Sequence, residues 1–192
     1  MSGRADATGG VPLGADIEVM METASIRVVP VHERFWSFYD EDQPYPVVTD
    51  ESPRALRDVA EEFAMYFKRE TPFDGYPYSA RPGDNTFPMS VVLIPYRNWV
   101  NSPHCPVVGA VGVIPAGNGF WRAESDHLAA VTWVWLHPHF RGKGLMTAAW
   151  KFIREQWPTA TLTRPFTPAG ARLRKAVEGK DTLPGEMAPR RR

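Results

Sequence analysis

Arg141, Gly142, Lys143 and Gly144 bring charge, backbone freedom and a change of local structure to one place, and the chemistry they suggest is anion binding. Before them, Val131, Trp133 and Trp135 alternate with Thr132 and Val134 in a β-branched and aromatic run. That pattern predicts a strand with the first three on one face, ended by Pro138, which has no N–H to give a sheet. After them the spacing turns helical. Leu145, Ala149, Phe152, Ile153 and Gln156 fall along one face, Met146, Trp150 and Trp157 widen it, and Pro158 stops it. The helix therefore starts at the glycines. Its first-turn amides have no internal partners and carry about half a positive charge from the macrodipole, which favours phosphate oxygens. Gly142 and Gly144 lack a Cβ, so a ligand can approach the main chain, while Arg141 and Lys143 add charge. Neither the spacing of a nucleotide P-loop nor that of a dinucleotide fingerprint is present. A diphosphate is the natural guest.

On these residues the chain resembles the GNAT superfamily of acetyl-CoA-dependent N-acetyltransferases. The Leu136-His137-Pro138 strand end and the following Arg141, Gly144 and intervening RGKG match that family's signature in order and context, with Met146 at its last small-residue position. The resemblance is specific over Val131 to Trp157. It implies an α/β (α+β) fold with a mixed, mostly antiparallel central sheet flanked by helices, and a splayed strand pair that admits the pantetheine arm of acetyl-CoA. By position, the backbone of Val134 and Leu136 would hold the arm. Arg141 and the amides of Gly142, Lys143, Gly144, Leu145 and Met146 would hold the diphosphate. The implied activity is acetyl transfer to a primary amine of a small molecule or protein.

Such a transfer needs a neutral amine, a stabilised oxyanion and a proton for the departing thiolate. A lysine-like amine has a pKa near 10.4, so a base must act on it. Ala130 and Thr132 stand where many relatives carry a glutamate, which leaves Glu124, Asp126 and His127 as candidate bases; for the two carboxylates the competing reading is a solvated turn. His137 and His139 flank Pro138 and fit turn geometry or phosphate contact. No cysteine or carboxylate cluster accompanies them, so no metal site is expected. The oxyanion donor would be a backbone N–H near Leu136. Relatives often protonate the thiolate with a tyrosine in the final helix, but Pro168 replaces the asparagine that starts it and no tyrosine follows Tyr96. Thr163 and Thr167 are nearby hydroxyls whose alternative roles are strand residue and helix cap.

The acceptor has two readings. Trp36, Tyr39, Asp40, Glu41 and Asp42 could receive a cationic amine between aromatic faces and carboxylates, or could belong to an amphipathic helix with buried aromatics and a solvated acidic end. Phe73, Tyr76 and Tyr78 offer a second wall. Elsewhere, Ala24 to Val31 reads as a first strand. Ser52 is expected to cap a helix beginning at Pro53, with Leu56, Val59, Ala60, Phe63 and Phe67 as its stripe until Thr71-Pro72. Met89 to Tyr96 and Pro106 to Pro115 read as strands, and Thr159 to Thr163 as a short one. A last helix is capped by Thr167 and ended by Gly179, with Leu173, Ala176 and Val177 inside.

The frame is 192 residues with 22 basic and 22 acidic side chains, so no global charge draws nucleic acid or anionic membrane. Residues 1–22 read as a disordered leader, 23–180 as the acetyltransferase-like domain and 181–192 as a flexible basic tail. One cysteine, Cys105, suits a reducing cytoplasm, and no apolar run reaches the roughly 18 to 20 residues of a membrane span. A homodimer is compatible with this organisation. Two other functions compete: an acyl-CoA-binding regulatory or interaction module with little turnover, and nucleic-acid binding through Arg141, Lys143, Arg172, Arg174, Lys175 and the Arg190 to Arg192 tail.

Overall fold

The computed structural model describes residues 44–71, 73, 75, 77–96, 107–121, 125–164 and 167–179. The expected strand at Ala24 to Val31, the aromatic and acidic segment through Asp42, and both terminal segments lie outside them. Five strands form one sheet in chain order: β1 (Val47–Val48), β2 (Ser90–Pro95), β3 (Val107–Ile114), β4 (Ala130–Leu136) and β5 (Thr161–Leu162). Neighbours are antiparallel except β4 and β5, which run parallel. Helix α1 (Arg54–Glu70) covers one face; α2 (Leu145–Gln156) and α3 (Pro168–Glu178) cover the other. This is the mixed, mostly antiparallel sheet flanked by helices that the resemblance implies. Among the described residues no helix is long and apolar enough to cross a membrane, and no group of three or more His, Cys, Asp or Glu could hold a metal.

The helical stripes pack as their spacing requires. Leu56, Val59, Ala60, Phe63 and Ala64 of α1 are buried against Val91, Leu93, Trp133 and Trp135. Met146, Ala149, Trp150, Phe152 and Ile153 of α2 are buried against Val92, Ile94, Val111 and Val131. Each large apolar side chain so buried is worth about 1.5–3 kcal/mol relative to exposure.

Strand β4 corrects one expectation. Trp133 pairs with Gly112 but Val131 pairs with Val113, so Thr132 is an extra residue on β4, a β-bulge. The bulge breaks the period of two: Trp133 and Trp135 face α1, whereas Val131 joins Val134 and Leu136 on the α2 face. A Cβ on Gly112 would lie 2.1 Å from the Trp133 indole nitrogen, so only glycine admits that ring.

Ser52 is a second correction. Its hydroxyl accepts the Thr49 N–H at 2.9 Å and caps nothing in α1; Pro53 occupies the cap position. A serine hydroxyl that closes its own turn is lost to the helix. Thr167 does cap α3, accepting from Gly170 N–H at 3.1 Å, and Gly179 ends it in the left-handed region. Within α3, Ala176 is exposed and Arg174 is buried instead. Arg174 Nε donates to Glu178 Oε2 at 3.2 Å, while Glu178 Oε1 accepts from Leu162 N–H and from the Thr161 hydroxyl.

The connection from α1 to β2 is tied down rather than open. Asn85 bonds both backbone groups of Ser79, Arg57 donates to Ala80 O at 2.8 Å, and Glu61 accepts from Ala80 N–H. Tyr78 is fully buried beneath α1, so it is a core residue rather than an acceptor wall, and Tyr76 lies outside the described residues. Burial first, then the charges of Asp50, Glu61 and Asp58 against that of Arg57, pushes the Tyr78 phenol up to about 12. Its hydroxyl has no hydrogen-bond partner among the described residues. Between pH 10 and 12 the unfolded chain releases this proton while the native state keeps it, so stability falls as pH rises. Urea unfolding from pH 9 to 12 should show Tyr78→Phe losing less stability than wild type, by roughly 2–3 kcal/mol at the alkaline end.

Candidate active site

The Thr132 bulge sets the main chain as well as the side chains. Val131 O accepts Thr163 N–H at 3.0 Å, so before the bulge this carbonyl points at β5. After it, His137 N–H donates to Val108 O at 2.8 Å. Antiparallel alternation then turns the backbone of Trp133 and Trp135 toward β3, and that of Val134 and Leu136 toward the β5 side. Strand β5 does not follow. Its pairing stops at Ala130 with Thr161 and Val131 with Leu162. Beyond that point no strand among the described residues pairs with this side of β4, which leaves a gap in the described sheet, and the two residues expected to hold an extended ligand through their backbone are those turned into it.

At the end of the gap the chain makes a 3-10 turn (Pro138–Phe140) and enters the glycine turn. Gly142 and Gly144 have φ of 75° and 77°, where side chains are strained, and a Cβ on either would meet nothing within 4 Å. The turn is open on its outer side. Gly144 occupies the cap position of α2 with no side-chain cap, which leaves the first-turn amides of Leu145 and Met146 without one. The Met146 side chain is buried in the core, so it does not obstruct the helix mouth. Lys143 is exposed; its Nζ lies 3.5 Å from His139 Nε2 and 5.2 Å from the Phe140 ring centroid.

Arg141 is placed differently from the expectation of a free phosphate-binding charge. Its two terminal nitrogens donate to the two Glu70 carboxylate oxygens, both at 2.5 Å, and its Nε donates to Leu136 O at 2.8 Å. The Trp135 indole donates to Glu70 Oε2 at 2.8 Å. The hydrogen bond from Arg141, above all, holds the Glu70 carboxyl below its usual range; partial burial opposes it, and Trp135 and the Arg141 charge reinforce it. The Leu136 carbonyl is thus occupied from within the chain. Sequence reasoning missed Glu70, although a signal exists: a carboxylate at a helix C-terminus sits against the negative end of the dipole.

His137 is buried, and its Nδ1 accepts His139 N–H at 3.2 Å, closing the turn as a helix cap would. Burial first, then the charges of His139 and Arg141, lowers its pKa. Its role is turn geometry.

The candidate bases lie at the other end of β4. Asp126 accepts Gly119 N–H on its carboxylate at 2.9 Å and Gly117 N–H on its main-chain oxygen at 2.7 Å, closing the β3–β4 connection. His127 beside it is exposed. A seven-residue strand separates them from the glycine turn by roughly 20 Å. Glu124, Trp36, Tyr39, Asp40, Glu41 and Asp42 lie outside the described residues. The Thr163 hydroxyl is buried and donates to Val131 O at 3.0 Å. Of the basic side chains considered for nucleic acid, Arg141 and Arg174 are already paired with carboxylates.

No family model and no curated protein matches this chain. Among solved structures it is similar to a ribosomal-protein-alanine N-acetyltransferase from Brucella melitensis biovar Abortus 2308, at 14% identity and a TM-score of 0.46, over 78% of this chain and 99% of that one. The likeness is distant.

Two outcomes check the local assignments. Thr167→Ala should cost about 1 kcal/mol in chemical unfolding, the usual worth of such a cap. Because burial lowers the His137 pKa in the native state below the ordinary value near 6.5 of the unfolded chain, the unfolded state binds more protons around and below that pH and stability falls as pH drops. His137→Asn retains an acceptor for His139 N–H and should show a shallower decline between pH 7 and 5.

Proposed function

We propose that the gap beside β4 and the glycine turn together bind acetyl-CoA, and that the protein is an N-acetyltransferase acting on a primary amine of a small molecule or protein. What carries the reading is one coincidence of geometry: the bulge turns the main chain of Val134 and Leu136 into the gap at the point where the uncapped N-terminus of α2 opens. An extended amide-bearing arm and a diphosphate need those two features end to end. The amides from Gly142 to Met146 would receive the diphosphate, with Lys143 as the nearby mobile charge. The Val134 backbone and Leu136 N–H would hold the arm, since the Leu136 carbonyl is already taken by Arg141.

Bound acetyl-CoA would supply an acetyl group activated as a thioester. This chain would contribute position, a backbone N–H near Leu136 for the developing oxyanion, and a base for the amine. Glu124, Asp126 and His127 remain the candidates for that base, and Asp40, Glu41 and Asp42 for recruiting the amine.

Three observations favour a second reading, an acyl-CoA-binding module with little turnover. Strand β4 carries no ionisable side chain, α3 carries no tyrosine, and the Thr163 hydroxyl is engaged with Val131.

Thermal unfolding with CoA or acetyl-CoA separates these readings from none at all, because a ligand that binds only the native state raises its midpoint. Wild type should shift upward, and Gly144→Glu, which adds strain and negative charge at the helix mouth, should not. An unchanged shift in a folded Gly144→Glu protein sinks the site. Thiol release over a panel of amines then decides between them: transfer supports the enzyme, and tight binding without release supports the module.

A further inference from the structure

We infer that Glu70 is a positioning residue for the glycine turn, acting through Arg141; the inference rests on the reading of that turn as the diphosphate site. Glu70 is the last residue of α1, where exposed carbonyls and the negative end of the dipole suit Lys68 and Arg69 but disfavour a carboxylate. Nothing local to α1 accounts for it. What holds it is remote in sequence: a two-point fork from Arg141 and a third bond from the Trp135 indole.

The geometry makes a three-point latch. Arg141 is tied to α1 through its terminal nitrogens and to the end of β4 through Nε on Leu136 O. On the far side of the turn, Gly144 O accepts Ala148 N–H and so belongs to α2. Gly142 and Lys143 span the interval between these two fixed points. Glycine loses more backbone freedom on ordering than any other residue, so an unlatched turn would meet that cost when ligand binds. With Arg141 anchored, part of the ordering is complete beforehand, which is how preorganisation raises affinity. The fork also makes Arg141 a fixture rather than a phosphate ligand. A planar guanidinium matches a carboxylate at two points in a way that lysine cannot. Both side chains are partly exposed, so the value of the pair lies in its geometry more than in its charge.

The test uses Glu70→Gln, which keeps shape while removing charge, together with Arg141→Gln and the double variant. Without ligand, amide hydrogen exchange at Phe140 and Arg141, whose N–H groups donate to His137 O and Pro138 O where the turn begins, should quicken about tenfold in each single variant, while the interior amides of α2 keep their protection. Calorimetric affinity for CoA should fall about tenfold in each single variant, and the double variant should be no weaker than either, because both act through one latch. Unchanged exchange in the turn overturns the inference. So does a double variant whose losses multiply, or tighter CoA binding by Glu70→Gln, the result expected if the carboxylate merely repelled the diphosphate. Wild type that fails to bind CoA defeats the reading of the site instead, and the exchange measurement still judges the latch.

Discussion

One extra residue in β4 is the constraint from which the rest of this molecule follows. Side chains on a strand alternate with a period of two, so an insertion exchanges the faces of everything beyond it. With Thr132 as that insertion, two tryptophans turn to α1 while Val131, Val134 and Leu136 all face α2. The aromatic rings then need room, and Gly112 provides it directly across from Trp133. The same insertion redirects the hydrogen-bonding groups. The backbone that would have continued pairing with β5 is turned back toward β3, and the backbone that now faces outward finds β5 already gone.

The end of β4 is held by polar contacts rather than by packing alone. His137, buried at the strand end, closes the following turn through its ring nitrogen, and Arg141 returns to the Leu136 carbonyl while gripping Glu70. Those groups stiffen the approach to the turn, whereas the turn itself consists of two left-handed glycines and a lysine exposed to solvent. Rigid surroundings and a bare backbone are what recognition of an anion by amides requires. The distribution of charge agrees with this division. Arg141 is neutralised where it stands, so the positive character at the helix mouth comes from the backbone and from Lys143.

Much of this was legible in the chain, and the exceptions share a cause. The stripe Leu56, Val59, Ala60 and Phe63 announces α1, the β-branched apolar run in Met89 to Tyr96 announces β2, and Thr167 with Gly179 brackets α3, because each signal is local and each is obeyed locally. Ser52 misleads because a serine hydroxyl has two local uses, and the turn at Thr49 wins over the helix. The face of Val131 was misread because a bulge leaves the alternation of residue types intact while breaking the alternation of space. Glu70 escaped notice because its partner lies 71 residues away. Arg174 and Glu178 escaped for another reason: a charged pair four apart reads as a solvated helix face until tertiary packing buries it. For the site, the position of the glycine turn could be read directly, but the occupation of the Leu136 carbonyl could not.

The carboxylate of Glu178 also settles how this sheet ends on the β5 side. Strand β5 is two residues long, and the amide of Leu162, which points away from β4, already donates to Glu178. Among the described residues, the two of β5 offer an incoming strand no free N–H, and a buried ion pair lies in its path. Sheets that leave such edges open invite edge-to-edge growth; this edge is closed by a side chain of its own final helix.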